Sequence, residues 1–133
     1  NKALVVSLDD KGRQYNEGGK LEGKYMTCSI KNFGRYTIAI DTVAPKCKPQ
    51  NFVSGKAFKA KEKKIIVKIS DNLAGITSYN AYLNGQWILA EYDGKSGRLI
   101  MDAKKLKQGT NKLTIKLSDS KSNSASFDYT ITK

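Results

Sequence analysis

The sequence predicts an all-β chain: an immunoglobulin-like or fibronectin-type sandwich over residues 45–133, preceded by a partial β-rich segment of about three strands over residues 1–44. Three observations carry that prediction. Apolar and polar residues alternate in short runs such as Ile65-Val67-Ile69 and Leu113-Ile115-Leu117, the period of a strand with one buried face. Turn signals recur about every 8 to 12 residues through the longer part, the spacing of a sandwich. Asn84-Gly85 sits between two apolar runs, and both residues tolerate the positive φ that a two-residue type I′ hairpin demands. Helix is nearly absent. Asp102 to Lys107 offers a turn or so before Gly109 ends it.

Taken in order, Leu4–Leu8, Leu21–Ile30 and Arg35–Ile40 are the strands of the first segment, separated by polar and glycine-bearing turns. So few short strands bury little apolar area, so this segment is either an appendage of the sandwich or the tail of an upstream domain, and the boundary that follows favours the tail. Asp41-Thr42-Val43-Ala44-Pro45, with Pro49 beyond it, reads as the boundary, because proline stops one ladder and allows another to start. The sandwich strands are then Lys64–Ser70, Ser78–Leu83, Gln86–Tyr92, Arg98–Met101, Lys112–Ser118 and Ala125–Thr132, with an edge piece near Gln50–Val53. Lys68, Lys112 and Lys116 fall on outward faces.

Twenty-four Lys and Arg against twelve Asp and Glu give a net charge of +12, which attracts polyanions without choosing among nucleic acid, anionic lipid and acidic glycan. The basic residues are densest at Lys56–Lys64 and Lys104–Lys107 and otherwise scattered, as on a solvated face or a lysine-guarded strand edge. No recognised nucleic-acid motif accompanies them, which disfavours nucleic acid as the partner. No apolar run reaches the length of a spanning helix, residues 1–20 carry no signal-peptide pattern, and the start at Asn1 reads as a fragment or a mature form. Of the two cysteines, Cys28 alternates with Met26 and Ile30 as a core residue would, and Cys47 lies between the two prolines. A Cys28–Cys47 disulfide and two free thiols are both open.

The chain contains no histidine. That removes the ordinary catalytic zinc site, the Ser-His-Asp triad and the Cys-His pair, and no glycine-rich phosphate loop is present, so the chain is read as a non-enzyme without a cofactor. Glu91 and Asp93, at a strand end beside Gly94, read as solvated hairpin carboxylates rather than an acid/base pair. Asp71, Asn72 and Asp119 end sandwich strands and could gather oxygens for Ca²⁺, against the plainer reading that they satisfy their own turn backbone. Register from the Asn84-Gly85 turn places Tyr82 opposite Trp87, on the face away from Ala81, Leu83, Ile88 and Ala90. Either that pair is exposed and able to stack on a glycan, or Trp87 packs into the sandwich.

The run Phe33–Pro45, then Ser70-Asp71-Asn72-Leu73-Ala74-Gly75-Ile76, Asn84-Gly85-Gln86-Trp87, Glu91-Tyr92-Asp93, Gly109 and Ser118-Asp119, resembles the C-terminal, non-catalytic region of Bacteroidota lysostaphin-type (LytM-like) zinc murein peptidases. The resemblance spans about Leu8 to Ser126. It implies an accessory module of a secreted, periplasmic or cell-envelope protein, acting as spacer or as a wall- or glycan-binding element. Peptidoglycan or another envelope polyanion, and an upstream domain of the same parent, are the partners it implies. Family members bind zinc through two histidines and an aspartate and use a further histidine as base, so none of their catalytic residues can be placed here. The alternative is a basic sandwich that binds polyanions or proteins and has no connection to wall hydrolysis.

Overall fold

A computed structural model describes residues 1–133. The chain is nearly all β: thirteen strands and one 3-10 turn, Ala103–Lys105. In order they are β1 (Ala3–Leu8), β2 (Gln14–Gly18), β3 (Lys20–Glu22), β4 (Tyr25–Thr27), β5 (Arg35–Ile40), β6 (Lys46–Pro49), β7 (Lys64–Ser70), β8 (Ile76–Leu83), β9 (Gln86–Ile88), β10 (Glu91–Asp93), β11 (Arg98–Asp102), β12 (Thr110–Asp119) and β13 (Ser124–Thr132).

Two four-stranded antiparallel sheets, β10-β11-β7-β6 and β13-β12-β8-β9, form the sandwich. Its core is the inward set of each sheet: Ile65, Val67, Ile69, Leu99 and Met101 on one side, Ala81, Leu83, Leu113, Ile115, Leu117 and Ile131 on the other. Lys68, Lys112 and Lys116 are exposed, as alternation requires. Asn84 and Gly85 have φ of 53° and 80°, and the register closes Leu83 on Gln86 and Tyr82 on Trp87, the pairing the turn chemistry predicts. At Gly97, φ is 64° and a Cβ would lie 3.1 Å from the Ile69 carbonyl oxygen, so this turn admits only glycine without adjustment.

Residues 1–40 form a three-stranded sheet, β2-β1-β5, beside a short hairpin of β3 and β4. Leu4 and Val6 are its fully buried side chains, while Tyr25, Phe33, Ile38 and Ile40 are exposed. With so little apolar burial, the segment is held to the sandwich by polar bonds: Asn16 Nδ2 to the Ala74 carbonyl at 2.8 Å, and Lys2 Nζ to the Lys121 carbonyl and Asn123 Oδ1 at 2.6 Å each.

Several boundaries differ from the sequence expectation. Leu21–Ile30 is a hairpin turning at Gly23 (φ 60°), not one strand. Cys28 therefore lies outside any strand and Ile30 is 52% exposed, so the Met26-Cys28-Ile30 alternation marks no core face. The stretch read as a link is strand β6, pairing with β7 from Lys46–Ser70 to Pro49–Val67. Proline is tolerated there because β6 is an edge strand with no neighbour on its far side. No strand occupies Gln50–Val53; that segment begins a loop that packs Phe52 and Phe58 on the core and runs along β13 through Gly55 N to Thr130 O and Phe58 N to Thr132 O. Gln86–Tyr92 splits into β9 and β10, which belong to opposite sheets, with exposed Leu89 and buried Ala90 at the crossing. Both cysteines are free thiols.

Candidate functional site

Three places in the fold gather groups able to recognise something. The first is the outer face of the β9-β8-β12-β13 sheet. Its inward residues are consumed by the core, so the alternate residues form rows across the strands: Trp87, Tyr82, Thr114 and Asp128 in one, Asn80, Lys116 and Ser126 in the next, then Ser78, Ser118 and Ser124. Trp87 is 58% exposed, which decides between the two readings of that residue: it stands on the surface. Its indole Nε1 donates to Asn80 Oδ1 at 3.3 Å, and Lys116 Nζ sits 5.2 Å from the centre of the half-buried Tyr82 ring. Thr114 Oγ1 donates to Asp128 Oδ1 at 2.6 Å and Lys112 pairs with Asp128 Oδ2 at 3.0 Å. The threonine hydroxyl first and Lys112 second hold the Asp128 carboxyl below its ordinary value, so it is an ionised acceptor at neutral pH.

A shallow depression of about 370 Å³ lies over Ser78, Asn80, Lys116, Ser118, Ser124 and Ser126. A groove of about 450 Å³ meets the other side of Trp87, between Ile88, Leu89 and Ile100, with Lys64, Glu91, Asp102 and Lys105 around it. Trp87 thus joins a flat hydroxyl-rich face to a groove carrying both acceptors and donors. Glu91 and Asp93, on β10, are exposed; Ser96 Oγ donates to Asp93 Oδ2 at 2.6 Å, as in a solvated turn.

The second place is the sandwich end where β7 and β12 finish. Asp71 follows β7, Asp119 ends β12 and Asp41 follows β5; each brings a carboxylate oxygen within 4.8 Å of the others. Asp41 is 1% exposed and Asp119 is 3% exposed. Backbone donors reach most of these oxygens. Ala74 N bonds to Asp41 Oδ2 at 2.7 Å, Lys121 N and Asn123 N each bond to Asp119 Oδ1 at 2.8 Å, and Gly75 N bonds to Asp71 Oδ2 at 2.8 Å. Asn123 Nδ2 donates to Asp119 Oδ2 at 2.7 Å, while exposed Asn72 offers its amide to Asp41 Oδ1 at 3.4 Å. Asp71 Oδ1 is buried and has no partner. No lysine or arginine pairs with any of the three; the ion pairs are Arg13–Asp9, Lys20–Glu22, Arg35–Asp10 and Lys112–Asp128. At an effective dielectric near 20, two unit charges no farther apart than this repel by at least about 3 kcal/mol.

Sequence reasoning singled out Asp71, Asn72 and Asp119 but not Asp41, which it had placed in the boundary stretch. The structure brings Asp41 in and leaves Asn72 at the rim. Locally Asp41 looks like a turn residue, its Oδ1 accepting from Val43 N at 3.0 Å; the partners that draw it into the cluster, Ala74 and Asn123, lie 33 and 82 residues away in the chain.

The opposite end of the sandwich is basic. Lys59, Lys63, Lys104 and Lys133 surround a groove of about 440 Å³ with Phe58 and Glu62, so the two basic runs of the sequence meet there. No helix is long and apolar enough to cross a membrane. A family described as a Zu5-like domain matches residues 1–41, the segment that ends on Asp41. No curated protein matches the chain.

Proposed function

We propose that this chain is a non-catalytic accessory module that binds an extended glycan across the β9-β8-β12-β13 face, within a secreted or periplasmic cell-envelope protein. Exposed Trp87 is the observation that carries the reading. A large indole left in solvent, held in orientation by Asn80 and flanked by Tyr82, is suited to stacking on the apolar face of a sugar ring. Ser78, Ser118, Ser124, Ser126, Asn80 and Asp128 then supply donors and acceptors for hydroxyls along the adjoining rows. The resemblance to the tail of lysostaphin-type peptidases favours peptidoglycan as the glycan. The lack of histidine favours catalysis by another part of the parent protein.

Retention on purified peptidoglycan tests this. The wild-type chain is expected to be retained at both low salt and about 0.5 M salt, where surface charge is screened. Trp87→Ala should lose retention while unfolding within about 1 kcal/mol of wild type, since the side chain is exposed; a buried tryptophan would cost about 3–5 kcal/mol. Retention by Trp87→Ala equal to wild type would sink the reading. The groove of Lys59, Lys63, Lys104 and Lys133 supports a second reading, a polyanion binder, for which retention would vanish at high salt and be indifferent to Trp87.

A further inference from the structure

We propose that Asp41, Asp71 and Asp119 bind one Ca²⁺, and that the ion fastens residues 1–41 to the sandwich. The inference is independent of the glycan reading and concerns the carboxylates gathered where β12 finishes rather than the outer face of its sheet. Three carboxylates converge within 4.8 Å with no basic side chain paired to them, and neutral N–H donors relieve desolvation without cancelling the charge. Asp71 Oδ1 is the second sign. Its companion Oδ2 is turned to Leu73 N and Gly75 N, and Oδ1 is shut off from solvent with no donor of the chain reaching it. A buried anionic oxygen is costly unless something positive meets it.

The donor set selects the ion. All three ligands are oxygens, there is no histidine, and both cysteines lie elsewhere, which favours a hard cation over zinc. The three oxygens lie within 4.8 Å of one another, near enough for one ion to touch each, and Mg²⁺, which dehydrates reluctantly and is usually held by one or two carboxylates, fits a site of three less well than Ca²⁺. Lys2 Nζ is engaged by Lys121 O and Asn123 Oδ1 at 2.6 Å each and forms no ion pair with the three carboxylates. The ligands come from the three segments that meet here, the ends of β5, β7 and β12, so one ion ties both sheets to the first segment.

The test uses the full chain, stripped with a chelator and exchanged into metal-free buffer. Isothermal titration with CaCl₂ should show a single site, and Ca²⁺ at about 100 times its Kd should raise Tm by roughly 5–10 °C, with MgCl₂ giving less. Ca²⁺ should also slow proteolysis of the exposed Thr42-Val43 link by at least about tenfold. Asp71→Asn keeps an acceptor for Leu73 and Gly75 but removes the charge; its metal-free Tm should stay within about 2 °C of wild type and its Ca²⁺ shift should disappear. No heat and no Tm shift from millimolar Ca²⁺ in the folded wild type overturns the proposal, whether or not the variant folds. An undiminished shift in folded Asp71→Asn, or an equal response to Mg²⁺, overturns the assignment of these ligands to Ca²⁺.

Discussion

Where β7 and β12 finish, Asp41, Asp71 and Asp119 are drawn together under backbone donors; where the same strands begin, Lys59, Lys63, Lys104 and Lys133 stand in solvent around a groove. Both ends collect like charges, yet the environments are opposite. The acidic groups are shielded and bonded, so their removal disturbs structure. Lys133 Nζ donates to the Leu106 carbonyl at 3.2 Å, but Lys59, Lys63 and Lys104 are exposed and bear on partners rather than on the fold. Net charge alone, +12, gives no hint of this division.

Replacing Asp119 with Ala should break the acidic end first and most. It strips the acceptor from Lys121 N, Asn123 N and Asn123 Nδ2, and should cost about 3 kcal/mol in urea unfolding. A loss under about 0.5 kcal/mol would make the two ends equivalent and remove the contrast. Asn16→Ala deletes the bond to the Ala74 carbonyl, which keeps Ser120 Oγ as a donor, so a cost of about 1 kcal/mol is expected by the same assay.

Between the ends, Tyr129 donates its hydroxyl to the Cys47 carbonyl at 3.0 Å, linking β13 to β6 across the sandwich. Burial, chiefly, pushes the Tyr129 phenol above its ordinary 10.0 and the Cys47 thiol above its ordinary 9.0. Both raised values mean that the unfolded chain ionises first. The stability they contribute is whole below about pH 9 and is lost as pH rises through the folded values. Urea midpoints measured from pH 8 to 11 should fall, and Tyr129→Phe should flatten part of that fall. Last and smallest, Lys63→Glu with Lys104→Glu should change stability by no more than about 0.5 kcal/mol while lowering the salt needed to elute the chain from heparin.

How much of this could be read in advance depended on whether the signal was local. Alternation located Ile65-Val67-Ile69 and Leu113-Ile115-Leu117, and Asn84-Gly85 fixed a register that put Tyr82 against Trp87, because strand period and turn geometry are written within a few residues. Strand β2 was missed: Gln14-Tyr15-Asn16-Glu17-Gly18 has no apolar face and is a strand through its ladder to β1 and the bond from Asn16. The crossing between β9 and β10 was invisible because an unbroken apolar run does not say which sheet each half joins. Trp87 was legible as to its face but not its exposure, which depends on whether another layer covers that face. Asp41 was unreadable as a site residue, since its role arises only when the first segment docks on the Asp71 and Asp119 loops.

The edges of the sheets bear on self-association. On one side of the sandwich both edges, β9 and β10, are three-residue strands made from one run of chain that changes sheet midway. On the other side, Gly55 and Phe58 bond to the carbonyls of β13, and β6 presents Lys46, Lys48 and Pro49. None of these offers a long free row of backbone groups to another molecule, so the sandwich resists edge-to-edge aggregation. Strand β5 differs: it is the outer strand of its sheet, six residues long, with Ile38 and Ile40 exposed. If two copies of the chain aggregate through a β edge, β5 is where the added strand would pair.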